Sequence, residues 1–224
     1  MESTSITAGA RWLTRVPLGL VAVVALGALS AALADNVVDD DGLTVFDPHL
    51  LADVIAHRNG TATWAAEAVS FLGSPTVMAL AAAVVIGVMM WLRRWSTALL
   101  VALGAAGAAV LVVVGKHLAG RSRPPAVDHL VVETNQSFPS GHALGATVVA
   151  GLLAYVAIAN FPRLRAPITA LAVLFALAVG LSRVYLGVHW PTDVLAGWAI
   201  GATWLTLCIV VYRRIASAGL SLRP

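Results

Sequence analysis

The sequence predicts an all-α protein with six transmembrane helices in one bundle, and two properties of the whole chain point to that class. Apolar residues make up 59% of the 224 residues and charged residues only 11%, and the mean hydropathy is +0.88. A soluble domain carries about 25% charged residues. This chain has too few to cover a surface that faces water, so most of its surface must face lipid.

Six apolar stretches predict the six helices, because a helix needs about 20 apolar residues to cross a bilayer. In chain order they are residues 16–34, 75–92, 96–115, 143–161, 166–186 and 192–212. The second stretch is short, so we expect its helix to begin near Thr63 and to place Glu67 close to the headgroups. The period-2 alternation of strands is absent from the sequence, which favours helices over a barrel.

The charges between these stretches predict the direction of each helix. Arginines lie before the first stretch, in every second connection and after the last stretch. In chain order they are Arg11, Arg15, Arg93, Arg94, Arg163, Arg165, Arg213, Arg214 and Arg223. Nearly all the acidic residues lie in the other connections. The positive-inside rule then places both termini in the cytoplasm. We expect a cytoplasmic N-terminal tail (1–15), a helical domain (16–214) with an acidic outward loop (35–62), and a cytoplasmic C-terminal tail (215–224).

Two features of the first outward region have alternative interpretations. The first apolar stretch also resembles a cleavable signal peptide, since Ala32-Leu33-Ala34 precedes Asp35; its removal would leave five spans in an unchanged orientation. The acidic run Asp39-Asp40-Asp41-Gly42 does not have the spacing of an EF-hand loop. We therefore expect a solvated acidic loop there and no calcium site.

Composition argues against two other classes of function. The net charge of +3 and the isoelectric point near 9.6 do not indicate nucleic-acid binding, because the basic residues occur in pairs beside apolar runs. The single cysteine, Cys208, permits no internal disulfide and no thiolate metal site. We expect it to be a small buried apolar residue.

Polar and charged residues are concentrated in three short segments that the topology places at the outward ends of helices. They are KHLAGRSRP (116–124), PSGH (139–142) and SRVYLGVHWPTD (182–193). The first closes the third span, the second opens the fourth, and the third joins the last two. The three segments can therefore meet at one end of the bundle although they are far apart in sequence.

The residue types in these segments are suited to binding a phosphate. Arg123 and Arg183 carry planar guanidinium groups that match phosphate oxygens bidentately, and Lys116 adds a point charge. Ser140 and Gly141 precede a helix, where free amide groups favour an anion and glycine permits a close approach.

The same segments also carry residues that can take part in catalysis. His142 falls at the start of a helix beside any bound anion. His189 lies four residues before Asp193, so the carboxylate can orient its ring and leave one nitrogen free to attack. The remaining polar residues of this region are predicted to be interfacial or solvated, namely His49, His57, His117, His129, Arg58 and Arg121, and Trp190 is predicted to belong to an aromatic belt.

Taken together, the three segments resemble the signature of the type-2 phosphatidic acid phosphatase superfamily, which also includes the vanadium haloperoxidases. Lys116 with Arg123-Pro124 matches the first part, 139–142 matches the second, and Ser182-Arg183 with His189 and Asp193 matches the third. No position departs from the pattern, and the resemblance covers about residues 60–212.

The resemblance implies a membrane enzyme that hydrolyses a lipid phosphate or diphosphate at the outer face of the plasma membrane. Candidate substrates are phosphatidic acid, phosphatidylglycerol phosphate and undecaprenyl diphosphate. It implies His189 as nucleophile, Asp193 as its support, His142 as proton donor, and Lys116, Arg123, Ser140, Gly141 and Arg183 as phosphate ligands. We expect no cofactor and no metal, because the sequence offers no carboxylate cluster for two magnesium ions.

Two other functions remain open at this point. A lipid phosphotransferase would use the same site and pass the phosphate to another headgroup. A lipid transporter would need functional charges along a pathway through the membrane, and the first, second and sixth spans carry none near their middle. A haloperoxidase is disfavoured because these spans are strongly apolar. The sequence does not predict an oligomeric state.

Overall fold

The computed structural model describes residues 18–221, and the chain folds there into helices and connecting segments without a β-strand. The α-helices are α1 (Leu18–Asp39), α2 (Asp47–Ala56), α3 (Gly60–Leu72), α4 (Pro75–Trp91), α5 (Trp95–Ala119), α6 (Gly141–Asn160), α7 (Arg165–Tyr185) and α8 (Pro191–Ser221). Short 3₁₀ helices occupy Gly42–Phe46, Ala126–Asp128 and Pro162–Leu164. The all-helical prediction is confirmed for this part of the chain.

Five of these helices are long and apolar enough to cross a membrane: α1, α5, α6, α7 and α8. Helices α3 and α4 provide a sixth span if the two are counted together, although they are bent by 44°. The chain is therefore a multi-pass membrane protein. The prediction of both termini in the cytoplasm stays a prediction, and the tail predicted at 1–15 lies outside the described residues.

The second predicted span is not the single helix that we expected from Thr63 onward. The first of its two helices already begins at Gly60, where the Asn59 side chain accepts a hydrogen bond from the Ala62 amide at 3.0 Å. It stops at Leu72, and the Ser74 side chain caps α4. Pro75 then takes the first turn of α4, where its missing amide hydrogen costs nothing. These local caps outweigh the continuous apolar pattern.

Helix α6 lies at the centre of the bundle, because it packs against α4, α5, α7 and α8. Its fully buried residues include Leu144, Val148 and Leu152. Small residues let the neighbouring helices approach closely. A Cβ atom on Gly107 would lie 2.1 Å from the Trp204 ring, so α5 and α8 can pack at this distance only because residue 107 is glycine.

The region predicted as a solvated acidic loop (35–62) is largely helical, so the expectation of a loop was wrong, although most of its acidic residues are exposed. Helix α1 continues to Asp39, and α2 occupies ten residues from Asp47. Asp39 and Asp53 are exposed, but Asp47 is 1% exposed. Its carboxylate accepts a hydrogen bond from the Thr192 amide at 3.0 Å, which places α2 against the start of α8.

The order of the helices places four of their ends together. Helices α5 and α7 end, and α6 and α8 begin, at the end of the bundle that α2 also contacts. The three polar segments of the sequence therefore lie at one end of the molecule. At the other end of the chain, α8 continues to Ser221, so residues 215–221 extend that helix.

Candidate active site

The first polar segment starts in the last turn of α5. Helix α5 ends where Gly120 adopts a left-handed conformation with φ of +58° and donates its amide to the Lys116 carbonyl at 3.0 Å. This cap turns the chain away from the helix axis. Lys116 is thereby left at the end of α5, and Arg123 follows in the connection to α6.

The second segment opens α6. Ser140 is the N-cap residue, and Gly141 and His142 form the first turn. The Ser140 amide donates to the Asp193 carbonyl oxygen at 3.1 Å, so the start of α6 is tied to the start of α8. A Cβ atom on Gly197 would lie 2.9 Å from the Ser140 carbonyl oxygen, and the glycine permits this close contact.

The third segment runs from the end of α7 to the start of α8. Arg183 lies in the last turn of α7 and is buried. Gly187 then takes a positive φ of +75°, a conformation that other residues adopt only with strain. The turn brings His189 back towards the bundle, and Pro191 begins α8 so that Asp193 falls in its first turn.

The hydrogen bonds of His189 determine its tautomer. Nη1 of Arg123 lies 3.2 Å from Nε2 of His189, and arginine can only donate, so Nε2 accepts. Nδ1 therefore carries the proton and faces Oδ2 of Asp193 at 3.3 Å. The unprotonated nitrogen of the imidazole points towards the guanidinium of Arg123.

His189 is almost completely buried, at 1% exposure. Burial lowers its pKa from 6.5 to about 4, and the nearby Arg123 and Arg183 act in the same direction, whereas Asp193 acts against it. The imidazole is therefore neutral near pH 7. A neutral imidazole with a fixed tautomer is the form that can act as a nucleophile.

Asp193 is held by several donors. Its Oδ2 accepts hydrogen bonds from the Trp190 amide at 2.9 Å and from the Ser137 hydroxyl. Its Oδ1 accepts from Nη1 of Arg121 at 2.7 Å. These bonds fix the carboxylate beside the imidazole.

The three predicted phosphate-binding cations are joined by the segment that precedes α6. Glu133 pairs with Arg183, and its other oxygen lies 3.4 Å from Arg123. Lys116 donates to the Asn135 side chain at 3.2 Å and to the Gln136 carbonyl. Arg123 donates to the same Asn135 oxygen at 2.7 Å.

The three predicted segments therefore meet. Lys116, Arg123 and Arg183 share contacts with residues 133–136, and Arg123 contacts His189. His142 lies in the first turn of α6, whose start is tied to Asp193 through the Ser140 amide. Ser140 and Gly141 form the helix start beside it.

Sequence reasoning assigned Arg121 and Arg58 incorrectly. Arg121 is not a solvated residue, since it bridges Asp47 at 2.8 Å and Asp193 at 2.7 Å, and it lies over the Trp190 ring. Arg58 donates to the Tyr185 carbonyl at 2.9 Å. The carboxylates that attract Arg121 come from distant parts of the chain, and spacing alone does not reveal them.

Sequence reasoning also left Ser137 and Glu133 without a role. Ser137 lies three residues before Ser140, and its hydroxyl bonds to Asp193. Glu133 was counted only as an acid of an outward connection. Within residues 18–221, no group of three or more His, Cys, Asp and Glu side chains is arranged to hold a metal ion.

The family model of the PAP2 superfamily matches residues 95–216, which is more than half of the chain and includes all three segments. This chain belongs to the PAP2 superfamily. The match begins at α5, so α1 to α4 lie outside the family model.

The relatives of this PAP2 chain include named lipid phosphatases. Phosphatidylglycerophosphatase B of Bacillus subtilis is 44% identical over 75 residues, which are 32% of this chain and 37% of that protein. Decaprenylphosphoryl-5-phosphoribose phosphatase of Mycolicibacterium smegmatis is 37% identical over 148 residues, which are 64% of this chain and 74% of that protein. For several relatives the matched region spans 34–57% of their length.

A solved structure extends the likeness to the whole bundle. The crystal structure of a transmembrane PAP2-type phosphatidylglycerolphosphate phosphatase from Bacillus subtilis has a TM-score of 0.80 and 28% identity. The superposition covers 86% of this PAP2 chain and 96% of that structure. The fold outside the family match is therefore also shared.

Proposed function

We propose that this protein is an integral membrane phosphatase that hydrolyses a lipid phosphate or diphosphate through a phosphohistidine intermediate. The observation that carries the proposal is the contact of Arg123 with His189 at 3.2 Å. It places a guanidinium that can bind a phosphate beside an unprotonated ring nitrogen. The superfamily and the phosphatase names of the relatives support the same activity.

The positive groups bind the phosphate of the substrate. Lys116, Arg123 and Arg183 neutralise its oxygens, and the Ser140 hydroxyl and the Gly141 amide complete the binding at the start of α6. The transition state of phosphoryl transfer spreads negative charge over the equatorial oxygens. Positioned cations and amides can therefore provide most of the rate acceleration.

The reaction proceeds in two displacements. The Nε2 lone pair of His189 attacks phosphorus in line, and the bond between phosphorus and the lipid oxygen breaks while His142 donates a proton to that oxygen. Asp193 stabilises the positive charge on the ring. Water then attacks phosphorus and loses a proton to His142, the bond between nitrogen and phosphorus breaks, and inorganic phosphate leaves.

An open apolar groove at the same end of the bundle supports a lipid substrate. It has a volume of about 370 Å³, lies between α2, α3 and α7, and is lined by residues that include Val54, Ala66, Val69 and Leu181. Ser182, beside Arg183, also lines it. A hydrocarbon chain there stays in an apolar environment while the phosphate reaches the cations.

The charge pattern supports a site at the outer face of the plasma membrane. The polar segments lie at the end of the bundle opposite to the connections rich in arginine, and the positive-inside rule assigns those connections to the cytoplasm. A phosphatidic acid, a phosphatidylglycerol phosphate or a polyprenyl diphosphate in the outer leaflet would present its phosphate at the level of the three polar segments.

Phosphate release by the purified protein tests the activity. The protein in detergent is given matched concentrations of lipid monophosphates and diphosphates, and released phosphate is measured. We expect release without any acceptor lipid; release only when an acceptor is added would instead identify a phosphotransferase. Transport of lipid in proteoliposomes without phosphate release would identify a transporter.

Substitution of the histidine tests the intermediate. His189→Ala should lower kcat by at least about 10³-fold, as removal of a nucleophile does. His117→Ala is the matched control, because this histidine is exposed beside Lys116, and its turnover should be unchanged. A brief reaction with ³²P-labelled substrate should label the wild-type protein in an acid-labile, alkali-stable form. Normal turnover in His189→Ala would overturn the assignment.

A further inference from the structure

We propose that Asp47 and Arg121 are positioning residues, which hold the Asp193 carboxylate and through it the His189 imidazole. The inference rests on the proposed function, in which His189 attacks phosphorus. Neither residue has a specified position in the three-part signature, and Asp47 lies outside the family match. The proposal connects the first outward region to the chemistry.

The contacts of Asp193 show how Arg121 can act. One carboxylate oxygen, Oδ2, faces Nδ1 of His189. The other oxygen, Oδ1, accepts a hydrogen bond from Nη1 of Arg121 at 2.7 Å. Because the guanidinium holds the oxygen that the imidazole does not use, it fixes the rotation of the carboxylate about its Cβ–Cγ bond.

Arg121 lies in the connection after α5 and is itself held by groups from two helices, α2 and α8. Its Nη2 donates to Oδ2 of Asp47 at 2.8 Å, and its Nη1 donates to the Thr192 hydroxyl at 2.8 Å. Its guanidinium carbon lies 5.7 Å from the centre of the Trp190 ring, a distance at which a cation is attracted to the ring face. These contacts restrict the side chain to one orientation.

Asp47 closes the ring of contacts. Its Oδ1 accepts the Thr192 amide at 3.0 Å, and its Oδ2 accepts the Thr192 hydroxyl as well as Arg121. A carboxylate at this place satisfies a free amide in the first turn of α8. Asp47 therefore binds both the helix that carries Asp193 and the arginine that orients it.

The charges show what Asp47 adds beyond packing. Burial opposes the charge of Arg121, but Asp193 and Asp47 outweigh burial and raise its pKa above the ordinary value. The guanidinium is thus shared between two carboxylates. If Asp47 became neutral, Arg121 would be balanced by Asp193 alone, and it would draw the carboxylate away from the Nδ1–H of His189.

A double-mutant cycle separates positioning from general structural support. Asp47→Asn is made in the wild type and in Asp193→Asn, with Asp53→Asn as the matched control, because Asp53 is exposed on the same helix. We expect Asp47→Asn to lower kcat about 10- to 100-fold, the range found for groups that orient a metal-bound histidine through hydrogen bonds. KM and the vanadate dissociation constant should change less than about twofold.

In the Asp193→Asn background, Asp47→Asn should cause no further loss of kcat, because the effects of substitutions at interacting residues are not additive. Losses that multiply, or an unchanged kcat in Asp47→Asn, would overturn the proposal. Asp47→Glu should recover part of the activity. If Asp47→Asn does not fold, Arg121→Lys carries the same test, since lysine keeps the charge but lacks the rigid planar fork that contacts Asp47 and Asp193 together.

A readout that needs no turnover separates this proposal from the proposed function. The ¹⁵N chemical shifts of the His189 ring at pH 7.5, assigned by comparison with His189→Ala, report its tautomer. We expect a single Nδ1–H tautomer in the wild type and a mixture in Asp47→Asn and Arg121→Lys. One unchanged tautomer in both variants would overturn the positioning role. If the wild type shows the single tautomer and the variants show the mixture, but the protein releases no phosphate, the positioning role stands and only the proposed function is overturned.

Discussion

The carboxylate of Glu133 forms an ion pair with the guanidinium of Arg183 inside the candidate active site. Its second oxygen lies 3.4 Å from Nη2 of Arg123. One carboxylate therefore contacts two of the cations that we assign to the substrate phosphate. Because phosphate oxygens make the same kind of contact with arginine, Glu133 and a bound anion share the positive charge of these two residues.

Glu133→Gln should destabilise the protein when no anion is bound. It should also increase the gain in stability that a bound anion provides. Arg183 is 2% exposed, and its Nε has no hydrogen-bond partner. Removal of the carboxylate would leave a buried cation, at a cost of about 3 kcal/mol, the lower end for a broken buried pair. Vanadate supplies the missing negative charge, so the rise in melting temperature with vanadate should be larger in the variant.

Glu67→Gln is the control for that experiment, because Glu67 is exposed on α3. Its melting temperature and its response to vanadate should match those of the wild type. A smaller vanadate response in Glu133→Gln than in the wild type would show that the carboxylate does not compete with the anion and only positions the arginines.

The stability of the protein should decrease as the pH falls from 6.5 towards 4, in part because of His189. The pKa of this group is lowered from 6.5 to about 4 by burial. Between these values the unfolded chain binds a proton at this histidine that the folded protein does not bind. Acid therefore favours the unfolded state, and the stability is present above pH 6.5.

Melting temperatures of the wild type and His189→Gln, measured from pH 7.5 to 4.5, test this linkage. Glutamine does not titrate, so the variant should lose less stability over that interval than the wild type. Parallel curves for the wild type and His189→Gln would contradict the lowered pKa.

The sequence was sufficient to predict the long apolar helices and the segments that carry the chemistry. Apolar length identified five spans and the region of the sixth. The spacing of Lys116 and Arg123, and of His189 and Asp193, identified groups that the fold brings together. Each of these signals is local, because it depends on residues within one helix or one connection.

The sequence did not predict the contacts that join distant segments. Asp47 and Arg121 are 74 residues apart and meet only because α2 packs against the start of α8. The bend between α3 and α4 was also missed, because the caps at Gly73 and Ser74 compete with an apolar pattern that runs through them. Pairing of buried charges is decided by tertiary packing, whereas the bend is decided by the local caps.

Excess chelator should leave the activity of the purified protein unchanged. Lys116, Arg123 and Arg183 supply the positive charge that metal ions provide in many phosphoryl-transfer enzymes. Phosphate release is measured after dialysis against EDTA and again after addition of magnesium. Vanadate should inhibit, because it adopts the geometry of the pentacoordinate state at phosphorus. Loss of activity in EDTA that magnesium restores would contradict the role of the three cations.

The active-site end of the bundle should be accessible from outside intact cells. Val132 is 91% exposed beside the site, and Arg163 is exposed in the connection between α6 and α7 at the opposite end. With Cys208 replaced by serine, Val132→Cys should react with a membrane-impermeant maleimide in intact cells. Arg163→Cys should react only after permeabilisation, because the positive-inside rule places that connection in the cytoplasm. The opposite labelling pattern would place the site on the cytoplasmic face and restrict its substrates to lipids of the inner leaflet.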